Sequence, residues 1–174
     1  AGVVLMCCNT AAVDVVIEAH EAHGAADMPT QRIDARVKSV DPITADMRVL
    51  HLQTPRSNRL RFLAGQSVSL ELRDGVSASL PVASCPCDDR NLQFHIGRRA
   101  GNAFAERVFE GLTAVDTVRV VGPCGAFVLD EESNRPLVFI AGQEGFAPIK
   151  SLIEHAMALD AEETLHLYWT PTAN

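Results

Sequence analysis

The sequence predicts an antiparallel, Greek-key-like β-barrel with one helix, followed by a partial α/β domain that contains a single βαβ unit. Two observations predict the barrel: several short segments have alternating apolar residues, and turns rich in glycine or proline separate them. A third observation predicts the βαβ unit. From position 136 to 168 an apolar run, a glycine turn, a segment of helical periodicity and a second apolar run follow one another.

Composition narrows the class of protein. The 174 residues are 47% hydrophobic and 21% charged, which is typical of a globular protein. A formal net charge of −7 argues against nucleic acid and against an acidic membrane surface as partners. No run approaches the ~20 apolar residues that a membrane span needs. Five cysteines in no regular framework favour a reducing compartment, so we expect a cytoplasmic location.

Five predicted strands and one helix make up the barrel. Because strand side chains alternate between two faces, we expect each of the following sets to share a face. The sets are Ile33, Ala35 and Val37; Met47, Val49 and His51; Val68, Leu70 and Leu72; and Leu92, Phe94 and Ile96. The last predicted strand carries Val118, Val120 and Val121 and ends at the turn that begins with Gly122. Asn102 is a good N-cap for the helix, with Phe104, Val108 and Phe109 facing inward.

The βαβ unit begins with the apolar run from Pro136 to Gly142, interpreted as a strand buried on both faces. The helix is predicted from one apolar face, which carries Phe146, Ile149, Leu152, Ile153 and Met157. A turn with Gly142 and Gly145 joins strand and helix, and anions or nucleotides often bind at such a helix N-terminus. Any βαβ unit also needs a glycine turn, so both interpretations stay open here.

Five motifs follow one another between positions 62 and 148. They are Phe62-Leu-Ala-Gly65-Gln66, Ser79-Leu-Pro-Val-Ala-Ser84-Cys-Pro86, Leu92-Gln-Phe-His-Ile96 with Arg98-Arg99-Ala-Gly101, Gly122-Pro123-Cys124-Gly125-Ala-Phe127, and Ala141-Gly142 to Pro148. Their order and spacing resemble the ferredoxin reductase-like flavoproteins, in which an FAD-binding β-barrel precedes an NAD(P)-binding domain. The resemblance covers positions 31 to 174 and implies FAD as cofactor and electron transfer as activity.

The N-terminus extends the resemblance. Val4-Leu-Met-Cys7 and Asp14-Val-Val-Ile-Glu18 resemble the end of a plant-type ferredoxin domain, with its last cluster cysteine and a closing strand. The resemblance therefore implies a ferredoxin-like remnant at 1–18, a linker at 19–30, an FAD-binding-type barrel at 31–130 and a truncated NAD(P)-binding-type α/β domain at 131–174.

The resemblance also implies which residues would contact cofactors. The flavin strand contributes Ser79, Val82, Ala83 and Ser84; the flavin-phosphate turn contributes Arg98, Arg99 and Gly101; and the nicotinamide-side loop contributes Gly142, Gly145 and Pro148. A solvated basic turn is an equally good interpretation of the two arginines. No catalytic residue is identified. No metal site is predicted, because a [2Fe–2S] cluster needs four thiolates and only Cys7 fits the ferredoxin pattern. We expect Cys85 and Cys87 to pack as small apolar residues.

Several positions depart from the family pattern. The family has an arginine, an aromatic residue and a hydroxyl residue where this chain has Ala78, Leu80 and Pro81. These changes remove a charge-assisted contact, a stacking surface and a hydrogen-bond donor. In the nicotinamide-side loop Gln143 and Glu144 replace small and hydroxyl residues, and a carboxylate there repels a pyrophosphate. We therefore expect weak or absent FAD binding, and no NAD(P)H binding by this chain alone.

Two functions remain open. The first is an electron-transfer oxidoreductase that resembles FAD-dependent NAD(P)H reductase components and is impaired in cofactor binding. The alternative is a non-catalytic interaction or regulatory module. The strand from Leu137 to Ile140 is apolar on both faces, and one helix covers only one of them. We therefore expect a protein partner or self-association through residues 136–174; packing of these residues back on the barrel is the open alternative.

Overall fold

The structure is a computed structural model that describes residues 10, 12–16, 24–130, 133, 135–142, 145–160 and 164–170. Most of the predicted ferredoxin-like remnant, with Cys7 and Cys8, lies outside the described residues, as do Gln143 and Glu144. Residues 12–16 form no strand and are exposed, because no neighbouring strand in the described part of the chain pairs with them.

Six strands and a short helix precede the βαβ unit. Their bounds are β1 Gln31–Thr44, β2 Met47–Gln53, β3 Ser67–Glu71, β4 Ser77–Pro81, β5 Asn91–Gly97, α1 Ala103–Glu110 and β6 Thr117–Cys124. The strands form one antiparallel sheet in the order β4-β3-β6-β1-β2-β5. The chain therefore inserts its last barrel strand between the first and the third, a Greek-key type of connection. This confirms the predicted antiparallel barrel with one helix.

The barrel is an open one, and the segment after β4 bridges its two edges. The Val82 N–H donates to the Gln66 carbonyl, just before β3, over 3.0 Å. The Ala83 N–H donates to the Gln93 carbonyl on β5 over 2.8 Å. The segment continues the edge strand β4, and its bond to Gln93 joins it to the other edge strand, β5, without a continuous ladder between the two. The segment from Val82 to Ser84 therefore belongs to both edges at once.

The face of β2 that packs inward is the one opposite to Met47, Val49 and His51. Leu50 and Leu52 are fully buried, whereas Met47 and His51 are only half-buried. Leu50 lies opposite Phe94 of β5, and residues directly opposite each other share a face of the sheet. Met47, Val49 and His51 share the other face of β2, as their alternation predicts, and Val49 on that face is also buried. The other predicted sets are confirmed in the core, except that Val121 is half-buried.

The buried side chain of Gln66 joins three parts of the chain. Its Oε1 accepts a hydrogen bond from the Leu63 N–H over 2.8 Å, and its Nε2 donates to the Gly125 carbonyl over 3.1 Å. Two of the sequence motifs, those around Gly65 and Gly125, are thus connected by one amide side chain. Buried amides need such partners, so Gln66 has a structural role in the barrel.

α1 begins as predicted. The Asn102 Oδ1 accepts a hydrogen bond from the Ala105 N–H over 3.1 Å, which is an N-cap interaction. Phe104, Val108 and Phe109 are buried against the barrel core. The helix ends at Glu110, and the N–H of the C-cap residue Gly111 donates to the Arg107 carbonyl.

The βαβ unit comprises β7 Leu137–Gly142, α2 Phe146–Ala158 and β8 Leu165–Thr170, with β7 and β8 parallel. A second, smaller core forms where Phe139, Ala141, Ile149 and Leu152 meet Ala64 of the barrel. Neither helix in the described part of the chain is long and apolar enough to cross a membrane.

Two details of the βαβ unit correct the sequence prediction. β7 is buried on one face only, because α2 covers that face and leaves Val138 57% and Ile140 74% exposed. Met157 is 65% exposed, since α2 packs through Ala147, Ile149, Leu152 and Ala156. The residue after Ala156 is turned by about 100° and points to solvent.

Candidate functional site

β4 and the segment that follows it carry the first group of predicted site residues. Ser79 is exposed and lies opposite Ser69 on β3. Its neighbours Ala78 and Leu80 lie opposite the buried residues Leu70 and Val68. Both therefore face the barrel interior, where they pack against the main core. β4 thus places two aliphatic side chains on its inner face.

The next residues, Val82, Ala83 and Ser84, are buried. The hydroxyl and the carbonyl of Ser84 both make hydrogen bonds within the chain. Its Oγ accepts a hydrogen bond from the Gln93 N–H over 3.3 Å, and its carbonyl accepts one from the Ser151 Oγ on α2 over 2.7 Å. The main chain of this segment is therefore held between β5 and α2.

Lys150 on α2 makes further contacts with the same segment. Its Nζ donates to the Ala83 carbonyl and to the Gln93 Oε1, each over 3.2 Å, and forms an ion pair with Glu154 one turn later. The Glu154 Oε2 accepts a hydrogen bond from the Cys85 N–H over 3.2 Å. Side chains of α2 thus make hydrogen bonds with main-chain polar groups of residues 83 to 85.

Arg98, Arg99 and Gly101 lie in the turn between β5 and α1. The turn is closed by a hydrogen bond from the Asn102 N–H to the Arg99 carbonyl over 3.1 Å, and Gly101 has a φ of +78° that favours glycine. The Arg98 guanidinium lies 4.6 Å from the centre of the Phe109 ring. Arg48 approaches the same ring at the same distance. Both arginines thus make cation–π contacts with Phe109.

β5 separates these two groups of predicted residues. Gln93 contacts Ala83 and Ser84, and Arg98 follows the end of the strand five positions later. At ~3.3 Å per residue the two groups lie about 17 Å apart along β5. The structure does not bring them into direct contact, but places both along the same strand.

The third group is assembled around the end of β7. Gly142 is the last residue of β7, Gly145 is the N-cap of α2, and Pro148 lies in the first turn of that helix. A proline is tolerated there because the first turn of a helix has no main-chain acceptor for its N–H groups. The Thr170 Oγ1 at the end of β8 donates to the Ala141 carbonyl over 3.4 Å. All three predicted residues therefore surround one strand-to-helix turn.

An aromatic stack that the sequence analysis did not identify connects the barrel with this turn. The ring of Phe146, the first residue of α2, lies 4.9 Å from Trp169 on β8 and 6.3 Å from His95 on β5, with near-parallel planes in both pairs. Burial lowers the pKa of His95, and the nearby Lys150 and His51 lower it further, while Glu154 raises it. Two features of the sequence could have predicted this stack: His95 lies on the outward face of β5, and an aromatic residue directly follows the glycine turn.

The prediction that the two cysteines after β4 pack as small apolar residues was wrong. Cys85 and Cys87 form a disulfide across Pro86, and Cys87 is exposed while Cys85 is buried. A C-x-C spacing can close such a bond locally, and this spacing in the sequence could have predicted the disulfide. Within the described residues no group of three or more histidine, cysteine or acidic side chains could hold a metal ion.

A polar cavity of about 460 Å³ lies elsewhere on the barrel. Its lining comprises Asp34, Glu71, Leu72, Arg73, Thr117 and Arg119. It shares no residue with the predicted site, and Arg119 is paired there with Asp34 over 3.1 Å. The cofactor-binding residues predicted from the sequence therefore lie outside this cavity.

The chain resembles known reductases over almost its whole length. It is 29% identical over 168 residues to CDP-6-deoxy-L-threo-D-glycero-4-hexulose-3-dehydrase reductase of Yersinia pestis, which covers 97% of this chain and 50% of that protein. It is 31% identical over 166 residues to terephthalate 1,2-dioxygenase reductase component 1 of Comamonas sp., covering 95% of this chain and 49% of the relative. The chain therefore spans about half the length of these curated relatives.

Solved structures agree with this likeness. The Amycolatopsis cytochrome P450 reductase GcoB superposes with a TM-score of 0.75 at 31% identity, over 83% of this chain and 44% of that one. Residues 34–129 match the sequence model of the oxidoreductase FAD-binding domain. This range contains β4, the segment after it and the turn before α1, where the predicted flavin residues lie. The chain belongs to the oxidoreductase FAD-binding domain family, among the ferredoxin reductase-like flavoproteins.

Proposed function

We propose that this chain is the flavin domain and the adjoining nucleotide-side unit of an electron-transfer reductase that takes electrons from NAD(P)H. The observation that carries the proposal is the match of residues 34–129 to the FAD-binding domain, in a chain whose relatives are reductase components. In this assignment residues 31–130 are the FAD-binding-type barrel and 131–174 belong to an NAD(P)-binding-type domain. Residues 1–18 correspond to the end of a ferredoxin-like domain and 19–30 to a linker.

We propose further that FAD is held weakly, because β4 lacks the groups that would hold it. Ala78 and Leu80 are packed on the barrel core and offer neither a charge nor an aromatic surface. Pro81 ends β4 without an N–H to donate. An arginine paired with a phosphate makes two charge-assisted hydrogen bonds, and an aromatic ring stacked on a flavin adds a contact of about 1 kcal/mol. The residues at these three positions do not fit a tightly bound flavin.

The contacts of α2 support the same conclusion. The main-chain groups of residues 83 to 85 already have partners in Lys150, Ser151 and Glu154. A ligand that needed these groups would displace hydrogen bonds that the chain makes with itself, which reduces its net gain. The turn at Arg98, Arg99 and Gly101 is the remaining part of the site with groups suited to a phosphate.

These internal contacts favour a second candidate function, a non-catalytic interaction or regulatory module with the same fold. In this role Lys150, Ser151 and Glu154 would serve to fix the βαβ unit against the barrel. The two candidates differ in whether the chain binds FAD at all.

The test is a titration of the purified chain with FAD, followed by the quenching of flavin fluorescence. Saturable binding with a Kd of about 10 µM or weaker supports the reductase with a weakened flavin site. No saturation up to about 1 mM FAD supports the non-catalytic module. Stoichiometric FAD that stays bound through gel filtration contradicts weak binding.

A protein partner is part of the proposal. Val138 and Ile140 expose one face of β7, and Tyr168 continues that face on β8. Apolar surface of this kind usually marks a contact with another protein or another part of the same one. We propose that residues 136–174 associate with a partner or with a second copy of the chain, and that the protein acts in the cytoplasm without nucleic acid. NAD(P)H binding by the chain alone and a [2Fe–2S] cluster are not part of the proposal.

A further inference from the structure

The disulfide between Cys85 and Cys87 has no role in the assignments made so far. It lies directly after the segment that joins β3, β5 and α2, on either side of Pro86. The loop that it closes contains a single residue. Since the stabilising effect of a disulfide through the unfolded chain increases with loop length, a loop this short stabilises the fold little. The bond therefore needs another explanation than structural cross-linking.

The two sulfur atoms have different environments. Cys87 is exposed to solvent, whereas Cys85 is only 6% exposed. A thiol that approaches from solution meets the Cys87 Sγ first. Cys85 is then the leaving group, and exchange is faster when the leaving thiolate is stabilised.

Three groups of the chain surround Cys85. The Cys87 N–H donates to the Cys85 Sγ over 3.2 Å, and the His155 Nδ1 lies 3.8 Å from the same sulfur. The Cys85 N–H is held by the Glu154 Oε2 over 3.2 Å. A hydrogen-bond donor and a protonated imidazole beside a sulfur both stabilise its thiolate.

We propose that Cys85 and Cys87 form a dithiol–disulfide redox site that exchanges with a dithiol, with His155 as the residue that positions and protonates the leaving Cys85 thiolate. One thiolate of the reductant attacks the Cys87 Sγ, the Cys85–Cys87 bond breaks, and Cys85 leaves and takes up a proton. The second thiol of the reductant then attacks the mixed disulfide and releases Cys87. Two electrons and two protons pass to the pair, and the reductant becomes a disulfide.

The site can be measured in the intact 174-residue chain. The chain is equilibrated with mixtures of reduced and oxidised dithiothreitol, quenched with acid, alkylated and digested with trypsin. Cleavage after Arg73 and Arg90 gives one peptide that contains both Cys85 and Cys87 and no other cysteine. The peptide with the free, exposed Cys124 serves as an internal control for alkylation.

The expected result is one two-electron transition, in which the Cys85–Cys87 peptide passes from no label to two labels while Cys124 is labelled throughout. Two labels without any reductant would overturn the proposal, because no disulfide then forms. A pair that stays unlabelled in excess dithiothreitol under native conditions, yet reacts once the chain is unfolded, would also overturn it, because the bond is then inaccessible.

Two histidine variants test the role of His155. His155→Asn should slow reduction of the pair by dithiothreitol about tenfold, because the leaving Cys85 thiolate loses its imidazole. His166→Asn is the matched control, since His166 is exposed on β8 and should leave the rate unchanged. Circular dichroism and the unfolding midpoint establish that both variants fold. Equal rates for the natural chain and His155→Asn would overturn the assignment of His155.

Discussion

The Lys150 Nζ on α2 donates a hydrogen bond to the main-chain carbonyl of Ala83 over 3.2 Å, and so ties the βαβ unit to the segment that bridges the two edges of the barrel. The Ala83 N–H in turn donates to the main-chain carbonyl of Gln93 on β5. The side-chain oxygen of Gln93 also accepts a hydrogen bond from Lys150. One lysine side chain thus connects α2 with both the bridging segment and β5. In this family a flavin is expected at this part of the chain. Here the segment is held in place by hydrogen bonds within the chain.

Replacing Lys150 should weaken this connection. Lys150→Met removes one partner each from the Ala83 carbonyl and the Glu154 carboxylate, which should lower the free energy of unfolding by about 1–3 kcal/mol. Lys38→Met is the matched control, since Lys38 is the other lysine of the chain and is exposed on β1. Urea unfolding of both variants gives the comparison. Equal midpoints for the two variants would show that Lys150 does not hold α2 on the barrel.

Gly65 should not tolerate a side chain. Its φ is +89°, and a Cβ atom there would lie 2.1 Å from the Phe127 carbonyl oxygen. Gly75 has a similar φ of +85°, but a Cβ atom there would meet no other atom within 4 Å, so Gly75→Ala isolates the cost of the backbone conformation. We expect about 1 kcal/mol for Gly75→Ala and at least about 2 kcal/mol more for Gly65→Ala, because the latter adds a collision with main chain. Similar losses in thermal unfolding would contradict the close approach at Gly65.

His95 should make stability depend on pH. Its pKa is lowered in the folded chain, first by burial and then by Lys150 and His51. The unfolded chain therefore binds more protons as the pH falls through the ordinary range of histidine, near 6.5, and the free energy of unfolding decreases there. His95→Gln should flatten this decrease between about pH 7 and pH 5. Urea unfolding at several pH values gives the slopes, and an unchanged slope in His95→Gln would exclude His95 as its source.

Association through β7 should depend on its exposed face. Ile140→Lys places a charge in the middle of that face and should convert associated chains to monomers, because burying an unpaired charge is unfavourable. Ile43→Lys on β1 is the matched control, since Ile43 is 64% exposed on a different part of the molecule. Light scattering at micromolar concentration measures the mass. A natural chain that is already monomeric would contradict association of the chain with itself.

The sequence predicted the strands whose apolar residues alternate in only one register. In β5, and in residues 33–38 of β1, apolar residues occupy every second position, so the inner face is unambiguous there. β2 contains Val49, Leu50 and Leu52, which place apolar residues in both registers. Pairing with β5 then decides which face packs inward, and that contact lies about 40 residues away in the chain.

The surroundings of the predicted site residues depend on contacts that the sequence does not show. The motifs located the segment after β4, the turn before α1 and the turn after β7, and the structure has all three in the expected order. The sequence did not show that Lys150, Ser151 and Glu154 of α2 contact the first of them, because this depends on how α2 lies on the barrel. The same packing places His155 beside Cys85. Contacts between elements far apart in sequence leave no local pattern.

The most direct test of the account compares the FAD affinity of the natural chain with that of a variant that restores the family pattern at β4. Ala78→Arg, Leu80→Tyr and Pro81→Ser together add a charge-assisted contact, a stacking ring and a hydrogen-bond donor. We expect the triple variant to bind FAD at least about tenfold more tightly in a fluorescence titration, which corresponds to about 1.4 kcal/mol. An unchanged Kd in a folded triple variant would contradict the claim that these three positions limit flavin binding.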